Sequence, residues 1–577
     1  MLSSTVKSQI NSKLKNIYSK NFNNKDLRIF SDEIFELIKI SNKKILKAKT
    51  KKLKISEDTS VVICYGDSVY ENGKINSIKS FKNFYNKNLS KYFNTIHFLP
   101  FYPSSSDSGF AVKDHYKIDS KLGSWADINN FSKKNNIMAD IVINHASSKG
   151  LWFKNFLRNK SPGKDYFIKV NKKFDISKVV RPRENRLLKK IHVFNKPNFI
   201  WRTFSSDQID LNFKNPKVLM RFIKIMINLA CHGVSIFRLD AIAYLWKESG
   251  TKCINLKQTH EIIKLLRIIC NSLQNSPYLI TETNLPEKEN LSYFGKKNDE
   301  ANWIYNFTLP PLLIHAFLFE DSSKLNQWIK KLPSTKLKNN YFNFIASHDG
   351  IGMRPAEGYL NKGTLNNLFK RLRKNGAQLS YRKINKAQKK VYEVNITLFN
   401  AFKNTDYDKK GLYSLERYVS AHAIMFSIEG VPAVYFNSIF GKANDEYKYV
   451  ISNNKRDLNR YKWNKIKLDR FLKDKKSKQK IYYDHITNLL KIRKKQKAFH
   501  PNASMRCLSF GKKILAYKRV SLDKKQTIIC ITNMSSKSQS VLLANNENKY
   551  KNLLSKNVNI INKRLILKPF ETIWLSN

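Results

Sequence analysis

The sequence predicts an α/β protein: a parallel (β/α)8 barrel (a TIM barrel) with inserted subdomains and a small all-β C-terminal domain. Three observations lead there. Eight short, nearly continuously apolar β-rich runs recur between residues 61 and 439, helical stretches lie between several of them, and the pattern after about residue 503 changes to short β patches set apart by turn residues. Strands covered on both faces read as unbroken apolar runs. Eight of them alternating with helices favour a closed parallel barrel over an open sheet.

The runs are VVICYGDSV (61–69), TIHFLPFYP (95–103), IMADIVINH (137–145), SIFRLDAIAY (235–244), PYLITETN (277–284), NWIYNF (302–307), YFNFIASHD (341–349) and VPAVYFNSI (431–439). Spacing predicts helices over 124–135, 215–233, 258–275 and 415–430, with Gly233 a suitable C-cap for the second. Residues 1–55 read as a basic helical region in which DEIFELIKI (32–40) sets apolar residues at helical intervals. The barrel domain is expected over 56–500. Two connections within it, 146–214 after the third strand and 350–410 after the seventh, are too long for ordinary loops. Both are read as subdomains inserted over the face that carries chemistry in such barrels. Residues 501–577, with SMRCLSFG, ILAYKRV, TIICITNM and RLILKPFETIWL, form the all-β domain.

Composition bounds the function. A chain of 577 residues with 42% apolar residues and few Gly and Pro can bury a large core. The net charge of +62 invites a nucleic-acid partner. Lysine, however, is spread along nearly the whole chain, often as KK pairs beside Asn, and no zinc-finger, helix-turn-helix or RNA-recognition signature is present. No nucleic-acid partner is expected. Cys64, Cys231, Cys253, Cys270, Cys507 and Cys530 form no CxxC pair and read as reduced residues. The start MLSSTVKSQINSKLK has no apolar core of a secretion signal, and no apolar run approaches the ~20 residues a membrane span needs. A cytoplasmic protein without membrane contact, monomeric or homodimeric, is expected.

Catalytic side chains of a parallel barrel sit at the C-terminal ends of its strands. There the apolar runs are broken by Asn144-His145, by Arg238 and Asp240, by Glu282, and by His348-Asp349. Burying so many charges is costly unless they serve one another, so the constellation reads as a site. Paired carboxylates suit glycosidic bond chemistry, and for retention of configuration they stand ~5–5.5 Å apart, a spacing that adjacent strands can supply. Asp240 is the expected nucleophile, kept ionised by Arg238 two residues earlier. Glu282 is the expected acid/base, with a raised pKa. Asp349 is expected to grip sugar hydroxyls and favour the positively charged transition state.

The segments DIVINHASS (140–148), FRLDAIAYLWKESGT (237–251), ITETN (280–284) and ASHDGIG (346–352) resemble the four signature regions of glycoside hydrolase family 13, the α-amylase superfamily. HFLPFYPSSSDSGFAVKDH (97–115), VRPR (180–183), TFSSDQIDLNF (203–213), the WKESGT extension and RDLNR (456–460) resemble one branch of it, the sucrose phosphorylases and their relatives, over roughly residues 55–575. Within that branch VRPRENRLL, HDGIGMRP and the long N-terminal helical region look more like glucosylglycerate phosphorylases than like sucrose phosphorylases.

The resemblance implies a retaining α-glucoside phosphorylase that passes glucose from a small α-glucoside to inorganic phosphate through a covalent glucosyl-enzyme. It implies the same roles for Asp240, Glu282 and Asp349, which argues against the non-catalytic members of the superfamily. It further implies that His145, Arg238, His348, Asp107 and Arg456 line the glucose subsite. Phosphate must be held by cations near the glucosyl carbon, and Arg181 and Arg183 are the candidates because guanidinium forks match phosphate oxygens. Trp201, Tyr244 and Trp246 either stack on sugar or pack the core. Asn144 and Asp140 are conceivable calcium ligands, but the carboxylate-rich loops such a site needs are not evident, and the branch implies no metal. No cofactor is expected, only phosphate as co-substrate. Sucrose phosphorolysis, hydrolysis and transglucosylation remain the alternatives, since all use the same carboxylates.

Overall fold

The computed structural model describes residues 3–47, 52–73, 75–384, 388–543, 550–555, 560–561 and 564–577. Eight strands close into a parallel barrel: β1 (Val61–Cys64), β2 (Thr95–Phe98), β3 (Asn136–Val142), β4 (Val234–Asp240), β5 (Tyr278–Thr281), β6 (Trp303–Tyr305), β7 (Asn340–Asn343) and β8 (Val431–Tyr435). Each pairs in parallel with its neighbours in sequence, and β8 returns to β1 through Val61–Ala433. All seven residues of β4 are buried, as its unbroken apolar run requires. The register of β4 sets Arg238 opposite Asp140 of β3 and Leu239 opposite Thr281 of β5, so Asp240 and Glu282 leave adjacent strand ends together.

All eight predicted strands are present, but most stop earlier than their apolar runs. Those runs continue into the loops that build the site: β7 ends at Asn343, six residues before Asp349, and β3 ends at Val142. His145 is therefore not a barrel-strand end. It lies in a separate short strand, His145–Ser147, which pairs antiparallel with Gln208–Asp210 of the first insert.

Two helices, α1 (Ser4–Tyr18) and α2 (Asn24–Lys47), precede the barrel. They do not stand apart from the barrel. They form an outer layer on two wall helices that lie further along the chain: α5 (Pro216–Cys231), which carries α2, and α6 (Lys257–Ser272), which carries α1. Ile10, Leu14 and Ile17 of α1 and Leu27, Ile34 and Ile38 of α2 are buried there. Tyr18 donates to Phe213 O at 2.9 Å, while Glu261 of α6 accepts from Lys13 and Asn16, both at 3.0 Å. Between these pairs come α3 (Ser77–Asn88) and α4 (Trp125–Ser132). Later in the chain follow α7 (Leu309–Phe319), α8 (Ser414–Ser427) and α9 (Lys478–Arg493). Asn215 caps α5 by accepting from Lys217 N, Pro216 opens it, and Gly233 follows its end at φ +80°.

Both long connections carry structure of their own. The first holds the helix Leu151–Leu157 and an antiparallel sheet of Lys169–Val170, Lys196–Trp201 and Leu188–Val193. The second holds the helix Lys362–Lys374 and a sheet of Ile351–Gly352, Lys389–Asn395 and Gln378–Lys383. After α9 the chain forms a five-stranded and a three-stranded antiparallel sheet with their own core, including Ile514, Ile529, Leu565 and Leu575. Among the described residues no helix is long and apolar enough to cross a membrane, and the six cysteines are unpaired.

Arg519 fastens this domain to the barrel. Its side chain is fully buried, forms no ion pair among the described residues, and donates to the carbonyls of Ser504, His500 and Ala503 at 3.2, 2.9 and 3.2 Å, and to that of Ser427 at the end of α8. A buried carbonyl left unpaired costs about 1–3 kcal/mol. The carbonyls of Ser427 and Ala503 are the buried ones, so Arg519→Met is expected to lower the free energy of unfolding by about 2–6 kcal/mol, on that per-carbonyl cost, as measured by chemical denaturation.

Candidate active site

A cavity of about 830 Å³ opens on the C-terminal face of the barrel, and Asp240, Glu282 and Asp349 all line it. Both inserts wall it in: the first supplies Arg183, Phe204 and Asp207, the second Ser380, Tyr392 and Glu393.

At the floor, Arg238 is almost completely buried and supports the nucleophile candidate. Its Nη1 donates to Asp240 Oδ1 at 2.7 Å and also to Asp140 Oδ1, and its Nε donates to the Tyr305 hydroxyl at 3.0 Å. The far side of Asp140 is engaged by His97 Nε2 at 2.8 Å. Burial raises the Asp240 carboxyl, and Arg238 and His145 pull against that rise. Burial pushes Glu282 up to about 7, helped by the charges of Asp240 and Asp349. The charge of either acid disfavours ionisation of the other, so the pair keeps one proton near neutrality. Glu282 carries it, because the guanidinium lies against Asp240. Glu282 Oε2 accepts from the N–H of Ala241 at 3.0 Å, and Ala241 is left-handed at φ 52°. That conformation costs a non-glycine residue about 1–2 kcal/mol. It turns the amide beyond Asp240 toward the neighbouring acid.

On the opposite wall the two arginines of RDLNR converge. Arg456 Nη1 lies 2.8 Å from Asp349 Oδ1 and 3.7 Å from Asp107 Oδ2, while its Nη2 and Nε donate to the two oxygens of Glu393 at 2.6 and 3.3 Å. Arg460, buried, donates to Asp107 at 3.2 Å, Ser108 Oγ at 3.0 Å, Asp349 at 3.4 Å and His348 O at 3.0 Å. Burial alone would raise Asp349, but the guanidinium groups of Arg456 and Arg460 outweigh it and hold the carboxyl far below its ordinary range. His348 stacks on Phe110 at 5.1 Å with the rings 2° from parallel. Burial lowers it to about 3, so its imidazole is neutral.

His145 lines the cavity and its Nε2 lies 3.0 Å from Phe110 O. Of the two candidate phosphate cations, Arg183 faces the cavity. Its guanidinium lies 5.0 Å from the Tyr392 ring, 6.0 Å from that of Phe204 and 3.6 Å from Glu393. Arg181 is not among the lining residues and donates to Asn185 O. Tyr244 also lines the cavity, whereas Trp201 and Trp246 are packed in cores, Trp201 with its N–H on Thr203 Oγ1 at 3.1 Å. The atoms a cation might use are already engaged. Asp140 serves Arg238 and His97, and Asn144 Oδ1 accepts from Lys247 Nζ at 2.9 Å, which also pairs with Asp210 at 2.7 Å.

Sequence reasoning did not single out Arg460, Glu393 or Phe110. Arg460 lies one short helical turn beyond Arg456, so the RxxxR spacing carried its signal. Glu393 stands in a Lys-rich strand of the second insert, where nothing local marks one acid as buried.

The alpha-amylase family (alpha amylase, catalytic domain) matches residues 17–354. With the barrel and its acid triad in place, the chain belongs to that family. It is 34% identical over 538 residues to the glucosylglycerate phosphorylase of Escherichia coli (strain K12), covering 93% of this chain and 95% of that protein. It is 35% identical over 522 residues to the glucosylglycerate phosphorylase of Allomeiothermus silvanus, covering 90% of this chain and 91% of that protein. The sucrose phosphorylase of Bifidobacterium adolescentis is 28% identical over 422 residues, covering 69% of this chain and 79% of that protein. The crystal structure of sucrose 6F-phosphate phosphorylase from Thermoanaerobacter thermosaccharolyticum shares the fold. Its TM-score is 0.72 and its identity 22%, over 84% of this chain and 95% of that one.

Arg456→Gln keeps hydrogen-bond donors but removes the charge, and is expected to bring the Asp349 carboxyl up toward its ordinary range. A carboxyl held low in the folded state contributes stability above its unfolded pKa, and that stability is lost as pH falls through the folded value. Wild-type protein should thus lose stability from this group on strong acidification, and the variant should lose less. Denaturation followed across acid pH, with carboxyl carbon NMR of Asp349, measures both.

Proposed function

We propose that the protein is a retaining α-glucoside phosphorylase acting on glucosylglycerate. The observation that carries this reading is the likeness to glucosylglycerate phosphorylases along nearly the whole chain, with all three carboxylates placed in one cavity. In the first step an Asp240 oxygen attacks the anomeric carbon as the bond to glycerate breaks. Glu282 gives its proton to the departing oxygen, leaving a glucosyl ester on Asp240. In the second step a phosphate oxygen attacks the same carbon from the opposite face. The ester bond breaks, any proton on the attacking oxygen passes to Glu282, and α-glucose 1-phosphate leaves. Two inversions restore the original configuration.

Arg238 stabilises Asp240 as attacking and as leaving group. Asp107, Asp349 and Arg456 hold glucose hydroxyls, and His145 and His348 complete that subsite, His348 as a neutral ring. Arg183, fixed between two aromatic rings, receives phosphate. An anionic acceptor suits the outer cavity, which Arg183, Lys149, Lys189 and Lys455 line. The steps call for no cofactor beyond phosphate as co-substrate.

The test is phosphorolysis of glucosylglycerate, sucrose, sucrose 6-phosphate and glucosylglycerol in parallel, with assay of α-glucose 1-phosphate. Phosphate-dependent release from glucosylglycerate, abolished by Asp240→Asn, is expected. Glucose released without phosphate would make the protein a hydrolase instead. The proton on Glu282 adds a second expectation. Since the acid must be protonated to assist departure, kcat/KM for glucosylglycerate falls as pH rises through about 7. With α-glucosyl fluoride, whose leaving group needs no proton, that limb should vanish. Glu282→Gln should slow the glycerate donor by about 10²–10⁴-fold, the range general acids supply, and the fluoride far less.

A further inference from the structure

Asp207 takes no part in the steps above, yet it lines the cavity and holds more hydroxyl groups than the catalytic acids do. Its Oδ2 accepts from Ser105 Oγ and Ser106 Oγ, both at 2.5 Å. Its Oδ1 accepts from Ser148 Oγ at 2.7 Å, Ser148 N at 3.2 Å and Ser147 Oγ at 3.3 Å. Partial burial raises this carboxyl, but the serine hydroxyls outweigh it and keep it below the ordinary range. A carboxylate offers about four lone-pair directions. All are taken by the protein, so Asp207 is built to hold the chain and has none left for a ligand.

What it holds is specific. Ser105 and Ser106 immediately precede Asp107 in the loop after β2, and Ser147 and Ser148 follow His145 in the loop after β3. Ser105 Oγ and Ser147 Oγ also meet at 2.5 Å. The loop carrying Asp107 is strained, with φ of 52° at Asp107, 48° at Ser108 and 109° at Gly109. A Cβ on Gly109 would meet Pro100 O at 2.6 Å. Left-handed residues other than glycine cost about 1–3 kcal/mol each and persist only where their surroundings over-determine them. Here Arg460 fixes Ser108 and the Asp107 carboxylate from one side. Gln208, next to Asp207, reaches Asp107 Oδ2 at 3.4 Å and Phe110 O at 3.2 Å. Asp207 secures the approach to Asp107 from the other side.

We infer that Asp207 is a positioning residue for glucose binding: a four-serine clamp that ties the Asp107 loop to the His145 strand and holds both at the geometry the sugar requires. The inference rests on the glucoside-phosphorylase reading, and the wild-type donor panel tests that reading separately. Transfer to water in place of phosphate would change the acceptor and leave the donor KM measurable. If no donor turns over, calorimetric binding of D-glucose reads the same subsite.

Asp207→Ala and the double change Ser105→Ala with Ser106→Ala should each raise the KM for the glucosyl donor about tenfold, the loss of one net charge-assisted hydrogen bond's worth of binding. The KM for α-glucose 1-phosphate in reverse should rise by the same factor. The KM for phosphate should not move, and kcat should stay within about threefold, because the reacting carboxylates are untouched. Combining the three changes should add little, as expected for one interaction cut from both ends. Ser106→Ala alone, at an exposed position, keeps the test open should Asp207→Ala fail to fold. A lower melting temperature with unchanged donor KM and glucose affinity would overturn the inference. So would donor and phosphate KM rising together, or a wild type that binds no glucose.

Discussion

The site depends first on one buried cation. Arg238 lies beneath the catalytic face with its guanidinium shared by Asp140, Asp240 and Tyr305. Burying a guanidinium without acceptors is costly, and the two carboxylates without it would be driven to take up protons. Together they fix which carboxylate is charged. With Asp240 tied to the guanidinium, the shared proton is left to Glu282 on the next strand. The register between β3, β4 and β5 sets Asp140, Arg238 with Asp240, and Glu282 on neighbouring strand ends, so the division of labour between two acids follows from strand pairing. Local propensity has no part in it.

Above that floor the charges alternate in sign along the cavity wall: Arg183, Glu393, Arg456, Asp349 with Asp107, then Arg460. Each member is partly neutralised by the next, so a rim dense in ionised groups can be closed in without large unpaired charge. The members come from the first insert, the second insert and the loops after β2, β7 and β8. The inserts thus complete the site's electrostatics as well as shielding it.

How much of this was legible in the sequence follows from how local each signal is. The barrel strands were readable because burial on both faces leaves an unbroken apolar run, and the three carboxylates because they interrupt those runs. The strand ends were not readable, since loop residues that line a buried cavity are as apolar or aromatic as the strands they follow. Helix α7, LPPLLIHAFLF, is buried all round except at its end, so no periodicity marked it. Arg183 and Arg181 stand two residues apart in the same motif, and only the fold shows that one faces the cavity and the other a backbone carbonyl. Asp207 was invisible as a clamp because its partners lie about 60 and 100 positions away in sequence.

The outer layer of α1 and α2 bears on how the chain is made. These helices are synthesised before the surfaces that cover Ile10, Ile34 and their neighbours, which belong to α5 and α6, some 200 residues later. At ~5–20 residues per second the wait is roughly ten to forty seconds. For that time the nascent chain trails an amphipathic helix pair whose apolar stripe lacks the surface that it covers in the folded protein.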